Sequence, residues 1–224
     1  MNRIIMTEFL NTDPDIMVDL ENILNCNICV CEEFGESSEL WIDRGIEPNA
    51  FVFMANIVHN TIESLRLHYD KWDDIYSKEE RSNSLRPILV DKLVYIQTNC
   101  LIRLLSTIEY NFKNHLRNQK EISPRLKKVV NRKFVSYKTL MDALRVESIL
   151  SGPNYELLVG AGFLRNDFVH NHAISDRTDT IKIGPIASIE RIEGHAIEAD
   201  LADFSVLFMY LKRPVDEYYF NTEK

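Results

Sequence analysis

The chain lacks the features that mark a protein for secretion or for a membrane. None of its apolar runs approaches the roughly 20 residues that a membrane-spanning helix requires. The apolar part of residues 1–8 is too short for a signal peptide. We therefore expect a soluble, cytoplasmic protein without a membrane partner. Its 224 residues, of which 45% are hydrophobic, suit one domain with elaborations.

Cysteine is scarce, and its positions do not form a metal site. The four cysteines are Cys26, Cys29, Cys31 and Cys100. The first three are closely spaced, but no second Cys or His pair lies at zinc-site spacing nearby, and a tetrahedral site needs four ligands. We expect reduced, packed thiols, with no metal and no disulfide.

The sequence also lacks the motifs of common nucleotide and serine chemistry. It contains no glycine-rich phosphate loop and no Gly-x-Ser-x-Gly turn. Four further histidines are isolated and are interpreted as structural or surface residues: His59, His68, His115 and His195. We expect no cofactor.

Positive charge is outnumbered overall but is concentrated in one segment. The net charge of −8 argues against nonspecific coating of nucleic acid, because counterion release requires many Lys and Arg contacts. Residues 113–138 nevertheless contain a single acid, Glu121, and nine basic residues. These are Lys113, Arg117, Lys120, Arg125, Lys127, Lys128, Arg132, Lys133 and Lys138. The segment either steers RNA toward a site or is a solvated basic face on helix ends.

Apolar positions repeat at three and four residues over most of the chain, which predicts a mainly α-helical protein. Asp13-Pro14 is typical of a helix start and opens a first helix over about 16–34. A second helix is predicted over about 47–76 and a third over about 84–118. The length of the third predicts an antiparallel hairpin with the second.

The C-terminal half is predicted as shorter helices and one β-hairpin. A helix over about 137–150 precedes a helix that Asn154 can cap. Alternating apolar residues predict a small β-hairpin inserted near 176–197. The last helix covers about 200–210, and Pro214 is expected to end or bend it.

Residues 165–170 read Arg-Asn-Asp-Phe-Val-His, and they combine groups suited to phosphodiester chemistry. Arg165 presents a planar fork of donors that matches phosphate oxygens. Histidine can take or give a proton near neutral pH, which makes His170 a candidate for proton transfer. These residues follow a mostly apolar run without proline, so a helix is expected to carry them.

The pattern Arg165-Asn166, three others, His170 resembles the active-site motif of the HEPN superfamily (higher eukaryotes and prokaryotes nucleotide-binding domains). The resemblance covers 84–210 of a single domain 1–224 and implies an all-α HEPN-like helical bundle. Residues 1–46 form an N-terminal helical extension outside it. The resemblance implies a metal-independent endoribonuclease of toxin or anti-phage defence type that leaves 2′,3′-cyclic phosphate ends. The partners implied are RNA, a second copy in a homodimer, and an antitoxin or regulatory protein.

Helical geometry bears on how the motif can act. Asn166 and His170 lie about 40° apart on a helix, whereas Arg165 and His170 differ by about 140°. Two facing protomers, as in the family, would join two motifs in one cleft. The small residues 160–162 would let a second helix approach, since each glycine otherwise costs a helix about 1 kcal/mol. The alternative is a kink or a local break of the helix at these residues.

RNA cleavage assigns a role to each motif residue. We expect His170 to act as general base or acid and Arg165 to bind the scissile phosphate, with Asn166 orienting the phosphate or the histidine. Glu109 interrupts an apolar stretch, and Asp167 lies inside the motif. Each is a candidate for holding the arginine or the histidine. The alternative for both acids is an exposed or ion-paired surface carboxylate.

Two other functions fit the same residues. A noncatalytic RNA- or protein-binding helical module would keep the motif for phosphate binding alone. A purely structural bundle would pair Arg165 with Asp167 or Glu109 and use His170 at a helix end. The acidic composition favours the structural bundle over the binding module, and the intact motif after a long hairpin favours the ribonuclease.

Overall fold

The structure is a computed structural model that describes residues 16–18, 21, 49–183, 187–197 and 201–223. It is mostly α-helical with a small two-stranded antiparallel sheet, which confirms the mainly helical prediction. In chain order the elements are α1 (Asn49–Lys71), α2 (Lys78–Asn118), α3 (Pro124–Val130), α4 (Tyr137–Val146), α5 (Gly152–His170), β1 (Asp179–Ile183), β2 (Ala187–Arg191) and α6 (Leu201–Thr222). None of the described helices has the length and apolar character needed to cross a membrane.

The first two helices, α1 and α2, pack against each other and form the predicted helical hairpin. Ile62 and Leu65 of α1 and Leu85 and Leu89 of α2 are buried in the core. Their burial removes apolar surface from water along the contact, which stabilises the pair. The hairpin gives the C-terminal helices a long surface to pack on.

The start of α2 is set by a capping box and lies earlier than predicted. The Ser77 hydroxyl accepts a hydrogen bond from the Glu80 N–H, and the Glu80 carboxylate accepts one from the Ser77 N–H at 2.9 Å. The Ser77 hydroxyl also donates to this carboxylate at 2.8 Å, and this bond, followed by the one from the Ser77 N–H, holds the pKa of Glu80 below its usual value. The bonds of the capping box also satisfy N–H groups that the first helical turn leaves unpaired. The apolar repeat begins only near Leu85, which explains why it places the start at Ser84 and misses the first turns.

The last helix, α6, continues through Pro214 to Thr222, so Pro214 does not end it, and the other expectation, a bend at Pro214, stays a prediction. The packing beyond the proline explains this result. Val215 and Tyr218 are fully buried, and the Tyr218 ring stacks on Phe112 with 3.7 Å between centroids. A proline inside a helix costs about 3 kcal/mol. Each large buried side chain contributes about 1.5–3 kcal/mol, so several of them together outweigh that cost.

The motif-bearing helix, α5, lies at the centre and contacts α2, α4, α6 and β1. Leu158 and Leu164 anchor it in the core. At its N-terminus the carboxylate of Glu217 accepts hydrogen bonds from the N–H and hydroxyl of Ser151 and from the side-chain amide of Asn154. Ser151 is the N-cap, so the prediction that Asn154 caps this helix is wrong.

The small residues of α5 face other elements of the same chain. A Cβ on Gly162 would lie 2.7 Å from the Tyr137 ring of α4, and a Cβ on Gly160 would lie 2.9 Å from Ile181 of β1. The helix continues through both glycines, so the predicted alternative of a local break is wrong. Tyr137 and Ile181 therefore fill the space beside these glycines, where a helix of a second protomer is expected from the sequence.

The predicted β-hairpin is present near 176–197. Strands β1 and β2 pair antiparallel, with Ile181 opposite Ile189, and both side chains are buried. An isolated bridge between Ile174 and Ala196 extends the pairing beyond the strands. The hairpin therefore packs an apolar face on α5 and α6.

The short helix α3 lies inside the basic segment, where the sequence analysis predicts only a connection. Its N-cap Ser123 accepts a hydrogen bond from the Leu126 N–H at 3.2 Å. Leu126, Val129 and Val130 are buried. One apolar face is enough to hold a helix of this length against α2 and α4.

The predicted N-terminal helix falls mostly outside the described residues, as do Cys26, Cys29 and Cys31. Residues 16–18 and 21 are helical. The side chain of Ile16 is fully buried, and its N–H donates to the Ser82 hydroxyl at 3.3 Å. Cys100 of α2 is buried, and burial raises the pKa of its thiol to about 11, as expected for a packed thiol.

Candidate functional site

A cleft of about 380 Å³ opens between α2, the start of α4 and the C-terminal half of α5. It is lined by Glu109, Val135, Ser136, Tyr137, Lys138, Val159, Gly162, Phe163, Arg165 and Asn166. Two of the three predicted motif residues, Arg165 and Asn166, therefore share one cleft with the predicted supporting acid Glu109.

The guanidinium of Arg165 is held by three contacts. Its Nη1 lies 3.6 Å from Glu109 Oε2, and its Nη2 donates to Asn166 Oδ1 at 3.2 Å. Its centre lies 5.1 Å from the centroid of the Tyr137 ring, within the range of a cation–π contact. The side chain keeps 17% of its surface exposed, so donors remain open to an anion from solvent.

Glu109 also pairs with Lys113, one turn further along α2. The Lys113 ammonium donates to the Glu109 carboxylate and to the Val135 carbonyl at 3.1 Å. Two cations thus share one carboxylate, which leaves an excess of one positive charge in this group. A partly buried cluster with such an excess favours the binding of an anion.

Tyr137 lies beneath the arginine as a neutral, buried phenol. Burial raises its pKa, with the nearby Arg165 charge opposing that effect. Its hydroxyl has no hydrogen-bond partner among the described residues. A buried polar group without a partner costs about 1–3 kcal/mol. The ring takes the space that Gly162 leaves, and this contact fixes α4 against α5 below the cleft.

Asp167 does not hold the motif arginine. Its carboxylate is fully buried and accepts a hydrogen bond from Arg191 Nη1 at 2.8 Å. Arg191 in turn pairs with Asp179 of β1. Of the two acids that the sequence analysis proposes to support the site, Glu109 therefore pairs with Arg165, and Asp167 ties the β-hairpin to α5. The surface setting expected as the alternative for Asp167 is also wrong.

His170 stands apart from the arginine cleft. It is the last residue of α5, its side chain is exposed, and it does not line the cleft. Within the described residues it makes no hydrogen bond or ion pair. Directly after it the chain turns sharply, with positive φ at His172 (52°) and Ala173 (64°). A single protomer thus brings Arg165 and Asn166 together and leaves His170 free at the helix end.

Two residues that contact the charged groups of the cleft were not predicted from the sequence: Lys113, which pairs with Glu109, and Tyr137, which lies beside Arg165. Lys113 lies four residues after Glu109, and this spacing is a readable signal for an ion pair on a helix. Tyr137 gives no such signal, because its place beside Arg165 depends on how α4 packs on Gly162.

The groups described in the cleft are all side chains of this chain. The described residues contain no cluster of three or more His, Cys, Asp or Glu side chains arranged to hold a metal ion. The Arg165-Asn166 pair, with Glu109 and Lys113 behind it, has the donors and the positive charge that suit a phosphate group.

Comparisons of the chain with protein-family models, with curated proteins and with solved structures found no match.

Proposed function

We propose that the protein is a metal-independent endoribonuclease of toxin or anti-phage defence type. One observation carries the proposal: a cationic cleft holds Arg165 and Asn166, and an exposed, unengaged His170 follows on the same helix. An arginine for phosphate and a free imidazole for proton transfer are the two groups that cleavage of RNA without a metal requires.

The chemistry uses the 2′-hydroxyl of the RNA as its own nucleophile. His170 takes its proton or protonates the 5′-oxygen that leaves, and Arg165 stabilises the charge that develops on the phosphate oxygens. Asn166 keeps the guanidinium oriented through its side-chain oxygen. The products carry a 2′,3′-cyclic phosphate on one fragment and a 5′-hydroxyl on the other.

The proposal includes a homodimer whose facing motifs build one composite cleft. Support comes from the resemblance of the motif and from the separation of His170 from the Arg165 cleft in one protomer. A histidine from the second copy would complete the pair of groups. An antitoxin or regulatory protein that blocks this cleft would keep the activity in check.

A second candidate is a noncatalytic RNA-binding module that uses Arg165 for phosphate alone. It is favoured by the same observation that His170 does not line the cleft. The two functions differ in a single measurable property, which is whether the bound RNA is cut.

The test is cleavage of RNA by the purified protein in the presence of EDTA. Wild-type protein should produce fragments with 2′,3′-cyclic phosphate ends, detected by mass spectrometry. His170→Ala should lower the cleavage rate at least about a hundredfold, which is the contribution of a general acid or base. The helical circular dichroism of the variant should be unchanged.

The matched control is His172→Asn, since His172 is also exposed and lies two residues away. Asparagine tolerates its positive φ better than most residues do, so the backbone turn is preserved. This variant should cleave like wild type. Cleavage that survives His170→Ala would remove His170 from the mechanism, and RNA binding without cleavage by the wild type would favour the binding module.

A further inference from the structure

The loop between α3 and α4 presents an aromatic ring to solvent. The Phe134 side chain is 84% exposed, and the Lys133 ammonium lies 5.5 Å from its ring centroid. An exposed phenylalanine with a lysine over its ring combines a flat apolar group with a nearby cation. Single-stranded nucleic acids are bound by this combination, because a base stacks on the ring and a phosphate meets the cation.

Exposed cations surround this loop. The buried side of α3 consists of Leu126, Val129 and Val130, so Lys127 and Lys128 face solvent. Across the described residues, five exposed cations of this region make neither an ion pair nor a side-chain hydrogen bond. They are Lys120, Lys127, Lys128, Arg132 and Lys133. Other cations of the segment are engaged, as Lys113 is with Glu109 and Lys138 with Asp142. The free charge thus lies on α3 and its flanking loops.

The ring and the arginine cleft are neighbours along the chain. Val135 and Ser136, which follow Phe134, line the cleft that contains Arg165. Two residues of extended chain span about 7 Å, so one nucleic-acid strand can reach the ring and the cleft together. The whole chain carries a net charge of −8 although residues 113–138 contain nine basic residues and one acid, so the rest of the protein is strongly negative. This contrast would confine a polyanion to the cationic region.

We propose that Phe134 and the cations around it bind single-stranded RNA, with one unpaired base stacked on the Phe134 ring and the adjacent phosphate directed into the Arg165 cleft. The choice of RNA rests on the proposed function. Single-strandedness follows from the ring itself, because bases stacked inside a duplex have no free face for Phe134.

The binding test uses His170→Ala protein, so that the RNA stays intact, and a short fluorescent single-stranded RNA read by anisotropy. Adding Phe134→Ala should weaken binding about tenfold or more, which is the range of one lost base–aromatic stack. The same RNA as a duplex should bind weakly and should not respond to the substitution. The matched control is Phe220→Ala, whose ring is 66% exposed on α6 and should not matter.

Salt dependence tests the charges separately. In the same protein, Lys127→Gln with Lys133→Gln should flatten the slope of log K against log salt by about 0.7 for each lost phosphate contact. Lys71→Gln, at an exposed lysine in the last turn of α1, should leave the slope unchanged.

The outcomes separate this inference from the ribonuclease proposal. If wild-type protein cuts RNA while Phe134→Ala binds and cuts as well as wild type, the stacking surface is wrong and the ribonuclease stands. If Phe134→Ala loses binding while the wild type never cuts, the surface stands and the ribonuclease is wrong. Equal binding of duplex RNA, or displacement of the RNA by polyglutamate at equal concentration, would overturn the inference in favour of a general polyanion site.

Discussion

Arg165 is positioned by a carboxylate that it shares with Lys113. Glu109 pairs with both cations, and it is 20% exposed. Without this carboxylate, two positive charges would face each other in a partly buried cleft, which is unfavourable. With it, the arginine is held in place and keeps donors free. The single charge of Glu109 therefore determines both the position of the Arg165 side chain and the affinity of the cleft for anions.

Replacing Glu109 with glutamine should raise phosphate affinity and lower intrinsic stability. The variant leaves Lys113 and Arg165 uncompensated, so unfolding without phosphate should become easier by about 1 kcal/mol. Added phosphate should raise its melting temperature more than it raises that of wild type. Glu63→Gln is the control, since Glu63 forms a helical ion pair with Arg66 on α1 and neither residue lines the cleft. An equal phosphate response in Glu109→Gln and wild type would show that the cleft does not bind phosphate.

The ring of Tyr137 leaves no room for a side chain at Gly162. We expect Gly162→Ala to destabilise the protein by about 1–2 kcal/mol in urea unfolding, because overpacking outweighs the gain in helix propensity. Gly152→Ala is the matched control, since a Cβ there meets only the end of the Arg145 side chain at 3.5 Å. A change in association of two copies without a change in the stability of each would instead place Gly162 at a protomer contact.

At the scale of elements, a buried ion triad joins α5 to the β-hairpin. Asp167 of α5 and Asp179 of β1 pair with Arg191 of β2, whose side chain is fully buried. Burying the arginine charge is costly unless each donor is satisfied, and the two carboxylates satisfy it from both sides. The hairpin is therefore fixed to the end of the helix that carries the motif.

Replacing Asp167 with asparagine should weaken the hairpin without altering the chemistry. Removal of one partner from a buried pair costs about 3 kcal/mol, measured by chemical unfolding. Amides of β1 and β2 should exchange faster with solvent, while cleavage per folded molecule stays at the wild-type level. Asp176→Asn breaks only the exposed pair with Arg177 and should cost less than about 1 kcal/mol. If Asp167→Asn lost cleavage while its free energy of unfolding stayed at the wild-type value, Asp167 would instead act in the active site.

The elements differ in how far the sequence reveals them. Helical spacing and the alternation near 176–197 predict the hairpin of helices and the hairpin of strands, because both patterns are local. The Ser77-to-Glu80 capping box is also local and readable. The Asp167–Arg191 pair joins residues 24 positions apart on different elements, so no local pattern contains it. The same holds for the continuation of α6 past Pro214, which depends on the packing of Tyr218 on Phe112.

At the scale of the whole molecule, one copy of the chain places the arginine in the cleft and the histidine outside it. Arg165 lines the cleft between α2, α4 and α5, whereas His170 is exposed at the end of α5. The glycines that suggest a dimer contact are used inside the chain. The homodimer proposal thus depends on whether the two groups act together across protomers.

Mixing two inactive variants tests this directly. If a composite cleft uses Arg165 from one protomer and His170 from its partner, Arg165→Ala and His170→Ala should each be inactive alone and recover activity when co-refolded. Random pairing makes about half of the dimers mixed. Each mixed dimer keeps one intact Arg165–His170 pair of the two that a wild-type composite cleft contains, so recovery should reach up to about a quarter of wild-type cleavage. Light scattering should show a dimer in every sample. Arg165→Ala mixed with the double variant Arg165→Ala/His170→Ala is the control, because no dimer in this mixture contains an Arg165 and cleavage should not recover. A protein that stays monomeric and still cuts RNA, or a mixed dimer without recovery, would mean that each protomer works with its own arginine and histidine.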